Sequence, residues 1–459
     1  MSATDTTPTT APAVDVQAVQ QELAADGVRY AMAGFTDVHG RLKGKVVPIG
    51  HLPQMAAGSE LFTGAALDGV PQAISDEEVS AHPDLTRGFR LPWKPEVVYY
   101  PSTLYTEGQP FAAGSRHVLQ RQLEAAAELG LGFNLGIETE FFILRQGENG
   151  IEEVSDRDTA VKPCYDLSTT LDNFGWLTEL VEAMDELGWD VYSFDHEDAR
   201  GQFEIDFTYS DALTMADRVT FFRLMAGEIA RKHGHFASFM PKPFADRTGS
   251  GAHFNMSLKD LATGANLFEQ GEDTKGVGVS DIAYHFIGGI LRHAKAISAV
   301  IAPTVNSYKR LVRKGSMSGS TWAPVFVSYG DNNRTNMLRV PLAGGRVECR
   351  AADISCNPYL GAAMILAAGL EGVREQLDPG APHTENMYDY SDAQIAELGI
   401  GMLPRDLSEA IDEFEADSLS REVFGEALYN SFIDLKRAEW ESYQAHVSSW
   451  ETDRYLTFF

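Results

Sequence analysis

The sequence predicts an α+β protein in two parts, a small unit over residues 17–110 and a larger one over 111–459, behind a flexible tail of residues 1–16. Three observations support this. At 459 residues, 44% hydrophobic and 22% charged, the chain has ample apolar material for more than one core. Strand-type alternation and helix-type periodicity interchange along its whole length. A Gly/Pro break at "GQPF", near Pro110, separates mixed, turn-rich sequence from longer periodic segments.

In chain order, "MSATDTTPTTAPAVDV" is polar and Pro-punctuated, with neither a basic start nor an apolar stretch, so it predicts a tail and not a signal peptide. Asp15 is placed to cap a short helix ending near Gly27. "VRYAMAGFTDVHGRLKGKVVPI" reads as strand, glycine-containing turn, strand. After the break, a helix is expected over about 115–129 with Ser115 as its cap. Strands are expected at 133–144, 202–209, 251–258, 325–330 and 335–341, with helices between. "DRVTFFRLMAGEIARKHG" is an amphipathic helix with a glycine stop. "PLAGGRVECR" reads as a hairpin turning at Gly344-Gly345. The last 60 residues are expected to be mostly helical, with Trp440, Tyr443, Val447 and Trp450 forming one apolar stripe.

Composition excludes several functions. A formal net charge of -29 argues against nucleic acid and anionic membranes as partners. The cysteines, Cys164, Cys349 and Cys356, are few and odd in number, which suits a reducing compartment. The best apolar run, "ISAVIAP", stops at Pro303, too short to span a bilayer. A soluble, cytoplasmic protein is expected.

"LGIETEFFIL" places two glutamates, Glu138 and Glu140, on one face of what reads as a buried strand. Burying even one ionised carboxylate costs several kcal/mol, so this is either a wet edge strand or a site with partners elsewhere. Partners are present. "DHEDARGQFEIDF" supplies Glu197 and Glu204, and "TGSGAHFNMSL" puts His253, Asn255 and Ser257 on one face behind a glycine-rich turn. In the hairpin, Arg346, Glu348 and Arg350 share a face. Five glutamates and one histidine form an oxygen-rich ligand set that suits Mg²⁺ or Mn²⁺ and is poor for structural zinc. Interleaved arginines, including Arg310, Arg334 and Arg339, suit phosphate and carboxylate groups. The combination points to metal-bound nucleotide chemistry.

The series E-x-E, H-E…G-Q-x-E, K-P…G-S-G-x-H, "NSYKRLV", "NNR…LRVP" and R-x-E-x-R…"NPYL" resembles the glutamine synthetase superfamily, in family order from about residue 20 to the last helix. Stretches like "KPCYD" and "TWAP" bring it nearer to the branch that joins glutamate to methylamine. The resemblance implies an N-terminal β-grasp domain and a catalytic domain with a curved antiparallel sheet and helices. It also implies a homo-oligomer, a dodecamer of two stacked hexamer rings, with each active site completed by the neighbour's N-terminal domain. By the same resemblance, Glu140, Glu197 and Glu204 would hold one metal, and Glu138, His253 and Glu348 a second beside the ATP phosphates. Asn255 and Ser257 fall at ATP, Arg339 on its phosphates, and Gly249, Arg310 and Arg350 at glutamate. Arg334 falls where both substrates and the moving phosphoryl group are contacted. The implied activity is ATP-dependent amide formation through a γ-glutamyl phosphate, with release of ADP and phosphate.

The sequence departs from the ammonia-using members at two anionic positions. "FTGAAL" puts Thr63 where they carry an aspartate, and "GSTWAP" puts Trp322 where they carry a glutamate. All six metal-ligand positions are kept, which points to a changed amine and not to a lost activity. Trp322 could meet an alkylammonium by cation–π contact. Thr248 stands in place of an asparagine expected at the glutamate site. Methylamine is the expected amine; ammonia, and a non-catalytic relative, are the alternatives. Tyr388 lies near where some relatives are adenylylated and reads as a plain surface tyrosine.

Overall fold

The computed structural model describes residues 14–148, 150–313 and 323–459. At its start the Asp15 carboxylate accepts from the backbone N–H groups of Gln17 and Ala18, capping the helix Val16–Ala25 as the sequence predicts. Tyr30–Thr36 and Leu42–Pro48 then pair antiparallel. Tyr30–Thr36 also pairs in parallel with Val97–Thr106, and four further pairings complete a seven-stranded sheet in which Leu42–Pro48 forms one edge. Ala31, Ala33 and Phe35 alternate inward from it into a core of their own, with Val28, Leu52 and Met55.

The helix after Pro110 runs Ser115–Ala127, but its cap is Gly114, not Ser115. The Ser115 hydroxyl is engaged elsewhere: it accepts from Asn357 Nδ2 at 2.9 Å, tying the helix to the start of the buried helix Pro358–Glu375. The amphipathic helix likewise begins earlier than its apolar pattern, at Ala212, because Asp211 accepts from Thr214 N.

The segment expected as one strand over 133–144 is two. Leu131–Ile137 belongs to a seven-stranded sheet, paired with Phe254–Asp260 and Ser210–Asp211. Thr139–Gly147 belongs to a five-stranded antiparallel sheet with Gln202–Phe207, Val191–His196, Gly150–Glu153 and Phe236–Ser238. Glu138 is the hinge residue where the chain passes from one sheet to the other. Its N–H bonds to His253 O at 3.2 Å, and Glu140 N to Gly251 O at 3.4 Å, so the 251–253 segment bridges the gap. The seven-stranded sheet continues through Val347–Cys349, Asn336–Val340, Phe326–Asp331 and Gly401–Met402; every pair is antiparallel except Asn336–Val340 with Phe326–Asp331, which run parallel. The predicted hairpin at Gly344-Gly345 is present, both glycines having φ near +67°.

The C-terminal region is helical, but the aromatic stripe is interrupted. Trp440 and Tyr443 lie on Glu426–Ala445; the chain is extended at His446, and Ser448 with Glu451 forms a capping box that starts a new helix, Ser449–Tyr455. Val447 and Trp450 therefore leave the stripe, and Trp450, Leu456, Phe458 and Phe459 are largely exposed. Among the described residues no helix is long and apolar enough to cross a membrane.

Candidate active site

Strand register brings the acidic residues together. Glu204 lies directly opposite Glu140 across the antiparallel pair, and Asp195 lies opposite Glu204 on its other side. Like charges facing each other on one sheet face destabilise it unless something compensates them. Glu197 follows the end of Val191–His196, fixed by its N–H to Gln202 O at 3.0 Å. Glu140, Glu197 and Glu204 each offer an oxygen within 4.8 Å of the others. Glu138, His253 and Glu348 form a second trio on the same criterion, assembled where Asn255 pairs with Glu348 and the chain turns at Glu138.

The two trios differ in how their charge is balanced. In the second, His253 Nδ1 is 2.5 Å from Glu138 Oε2 and 3.6 Å from Glu348 Oε1. Asn255 Nδ2 donates to Glu138 Oε1 at 2.9 Å. Glu348, fully buried, accepts from Arg339 Nη1 at 2.5 Å and from Arg350 Nη1. Burial alone would raise the Glu138 pKa, but His253 and Asn255 hold it down at about 2. The first trio has far less cover: Glu140 accepts from Gly251 N at 2.7 Å and Gln202 Nε2 at 3.2 Å, with His253 Nε2 3.5 Å away. Burial and the Glu140 charge push Glu197 up to about 8. Burial and its acidic neighbours push Glu204 well above the carboxylate range. A trio of hard carboxylate oxygens with no lysine or arginine paired directly to it among the described residues fits a divalent metal such as Mg²⁺ or Mn²⁺.

Glycine lets these groups approach. A Cβ on Gly251 would stand 2.8 Å from His253 Nε2 and 3.0 Å from Glu140 Oε1. On Gly249 it would be 2.3 Å from Pro241 O, so neither position admits a side chain without displacement.

The Glu140 trio, with Glu138 and His253 of the second, lines a cavity of about 520 Å³, also lined by Gly249, Thr248, Arg310, Arg334, Arg339 and Arg350. Arg310 is buried beneath it, donating to Ala351 O and Arg350 O at 3.1 Å each. Asn255 and Ser257 line a second cavity of about 490 Å³, which shares Glu138 with the first. Arg346 stands there too, its Nε donating to Asn255 Oδ1 at 2.9 Å. Thr63 does not line either cavity within one chain; its hydroxyl donates to Glu78 Oε1 at 3.3 Å on the N-terminal sheet. Trp322 lies outside the described residues. Tyr388 is half-buried, its hydroxyl donating to Ala323 O at 2.8 Å, and so is not a plain surface residue.

Sequence reasoning passed over several neighbours. Asp206 shares the strand face of Gln202 and Glu204, an alternation visible in "QFEIDF"; burial and Glu138 push it up to about 7. Cys164 and Tyr165 line the first cavity, and Tyr192 and Tyr209 the second. No periodicity marks them, because they come from a loop and from strand ends.

Residues 112–455 match the family described as glutamine synthetase, catalytic domain. The chain is 43% identical over 441 residues to a glutamate–methylamine ligase of Methyloversatilis universalis, spanning 96% of this chain and 99% of that one. It is 39% identical over 427 residues to a glutamine synthetase of Rhizobium meliloti, 93% and 96% of the two chains. A solved GmaS/ADP complex superposes with a TM-score of 0.88 at 39% identity, covering 96% of this chain and 99% of that one. With sheet register, acidic trios and sequence in agreement, this chain belongs to the glutamine synthetase family.

Proposed function

We propose that the protein is an ATP-dependent ligase that joins the γ-carboxylate of L-glutamate to methylamine. The observation that carries this is the convergence of two metal-type trios and four arginines around one cavity. The 43% identity to a glutamate–methylamine ligase supports the choice of amine. Glu140, Glu197 and Glu204 would hold one Mg²⁺ or Mn²⁺, and Glu138, His253 and Glu348 the second. The bound ions would neutralise charge on the phosphates and on the transferring group.

The chain's own residues do the rest. Asn255 and Ser257, lining the second cavity, bind ATP there, and Arg339 reaches its phosphates. Gly249, Arg310 and Arg350 receive glutamate; the narrow 249–251 turn brings its γ-carboxylate close to the trios. A glutamate oxygen then attacks the γ-phosphorus, the bond to the ADP oxygen breaks, and an acyl phosphate forms. Arg334, exposed at the cavity, contacts both substrates and steadies the moving phosphoryl group. The free amine attacks the acyl carbon, phosphate leaves, and the proton carried in by methylammonium is released.

The separate apolar core of residues 28–111 supports an N-terminal domain of 17–110, behind a tail of 1–16 and before a catalytic domain of 111–459. Thr63, on that domain and away from its own chain's cavity, would complete a neighbour's site together with Trp322. This fits a ring assembly, a dodecamer, and a cytoplasmic enzyme. Ammonia in place of methylamine is the competing reading, supported by the 39% identity to a glutamine synthetase. The test is ADP release with glutamate, ATP and methylamine, with and without divalent metal, and the amide identified by mass. Metal-dependent γ-glutamylmethylamide formation is expected; ADP release with no amide product would overturn the assignment.

A further inference from the structure

Away from both trios lies a third cavity, of about 610 Å³, and none of its lining residues is shared with the two above. One wall is the segment 86–90, which ends in the short strand Phe89–Arg90 paired to Val97–Thr106. The other comes from the turn around Trp189 and the first turns of the helix Ala212–Lys232. In a chain of net charge -29, three arginines line this one cavity: Arg87, Arg90 and Arg218. The acids that line it are Glu186, which is exposed, and Asp217, which is already held by Arg116 and the Tyr359 hydroxyl.

The donors at this wall outnumber their acceptors. Arg87 donates to the Thr214 hydroxyl and lies 3.4 Å from Asp84 Oδ2 and 3.5 Å from Asp211 Oδ1. Arg90 donates to two carbonyls, Pro95 O and Asp26 O, at 2.8 Å each. Arg218 makes one long bond, from Nη1 to Thr208 O at 3.4 Å, and its guanidinium lies 5.7 Å from the centre of the Trp189 ring. Among the described residues no carboxylate forms an ion pair with Arg90 or Arg218. Burial lowers the Arg218 pKa; Asp211 offsets this in part and Arg87 adds to it. Arg218 Nε is buried with no acceptor among the described residues, and so is Nε1 of the fully buried Trp189. Unmet buried donors are costly and uncommon, and two at one wall, amid unpaired positive charge, share a single complement: an oxygen-rich anion.

We propose that this cavity is a binding site for a phosphate-class oxyanion, held by Arg87, Arg90 and Arg218 with the Trp189 N–H as a further donor. Guanidinium forks match phosphate oxygens two at a time. Cations drawn from two walls suit a dianion with oxygens on every side better than a planar, singly charged carboxylate. The walls belong to distant parts of the chain, so a bound anion bridges them and stabilises the folded form. The site does not depend on the ligase reading.

The test is calorimetric titration of the full chain with inorganic phosphate in chelator, which removes the metals that would draw phosphate to the trios. The wild type should show a phosphate site that survives Arg339→Gln, a change in the acidic cavity. Arg218→Gln and Arg90→Gln should each weaken it about tenfold or more, as expected for a lost hydrogen bond from a charged group. Trp189→Phe keeps a ring and removes the N–H, and should weaken it by about 2- to 12-fold. Arg90 is exposed, so its variant decides the matter even if Arg218→Gln fails to fold. Phosphate should also raise the Tm of the wild type more than that of Arg90→Gln. No phosphate binding in the wild type, binding abolished by Arg339→Gln, or binding unchanged in either folded arginine variant overturns the proposal. Tighter binding of succinate than of phosphate overturns the ligand class.

Discussion

Glu197→Gln tests the acidic trio through two effects of opposite sign. In metal-free protein the Glu197 carboxyl is pushed from its ordinary 4.5 up to about 8, by burial and by Glu140. That change corresponds to about 5 kcal/mol against the ionised form, an upper bound because Glu140 and Glu204 relax when their neighbour is neutral. The folded value lies above the unfolded one. The contribution is therefore fully present below about 4.5 and is lost as pH rises towards 8. Glutamine keeps the shape and removes the charge, so Glu197→Gln in chelator should be more stable than the wild type at pH about 8, by up to that amount. Saturating Mn²⁺ should reverse the order, because the variant lacks one of three ligands and gains less from the ion. Thermal unfolding of both proteins in chelator and in Mn²⁺, across pH, reads all four states. A variant less stable than the wild type in chelator, or an equal gain from metal in both, would refute the reasoning.

The two trios should also bind metal with unequal strength, since Glu348 is already paired with Arg339 and Arg350 while, among the described residues, no arginine forms an ion pair with the Glu140 trio. Calorimetric titration should resolve two classes about tenfold or more apart, with Glu140→Gln removing the tighter and Glu348→Gln the weaker; a single class in wild type would contradict this. Away from the site, burial lowers the His293 pKa, but Asp417 at 2.7 Å and Glu371 at 3.0 Å outweigh it and raise it above 6.5. Its stabilising charge is present below 6.5 and lost as pH rises through the elevated value, so His293→Gln should flatten the alkaline fall of Tm over that window. An unaltered Tm–pH curve would show that His293 carries no such linkage. Finally, deleting residues 449–459, which expose Trp450, Leu456, Phe458 and Phe459, should lower the assembled mass in light scattering. A monomeric mass for the full chain would already contradict the ring assembly.

Much of the site was legible because strand alternation is a rigid rule. It put Glu204 on one face of "QFEIDF" and His253, Asn255 and Ser257 on one face of their strand, and the structure keeps both sets together. The same rule misread Glu138. Alternation says nothing about which sheet a strand joins, and the chain changes sheets at that residue because the 251–253 backbone supplies its hydrogen-bond partner. Ser115 and the 440–450 stripe misled for a related reason: a cap preference and a 3–4 spacing are local, and the claim of Asn357 on Ser115 or the capping box at Ser448 outweighs them. Tyr165 and Cys164 could not be found by pattern at all, since residues of an irregular loop have no period.

The central claim is the choice of amine, and steady-state competition between methylamine and ammonia at fixed glutamate, ATP and Mn²⁺ measures it most directly. The neutral Thr63 and Trp322 positions favour methylamine, so its kcat/KM should exceed that of ammonia by about tenfold or more, within the range that one methyl group allows in such a pocket. A higher kcat/KM for ammonia would contradict the account and leave a glutamine synthetase in its place.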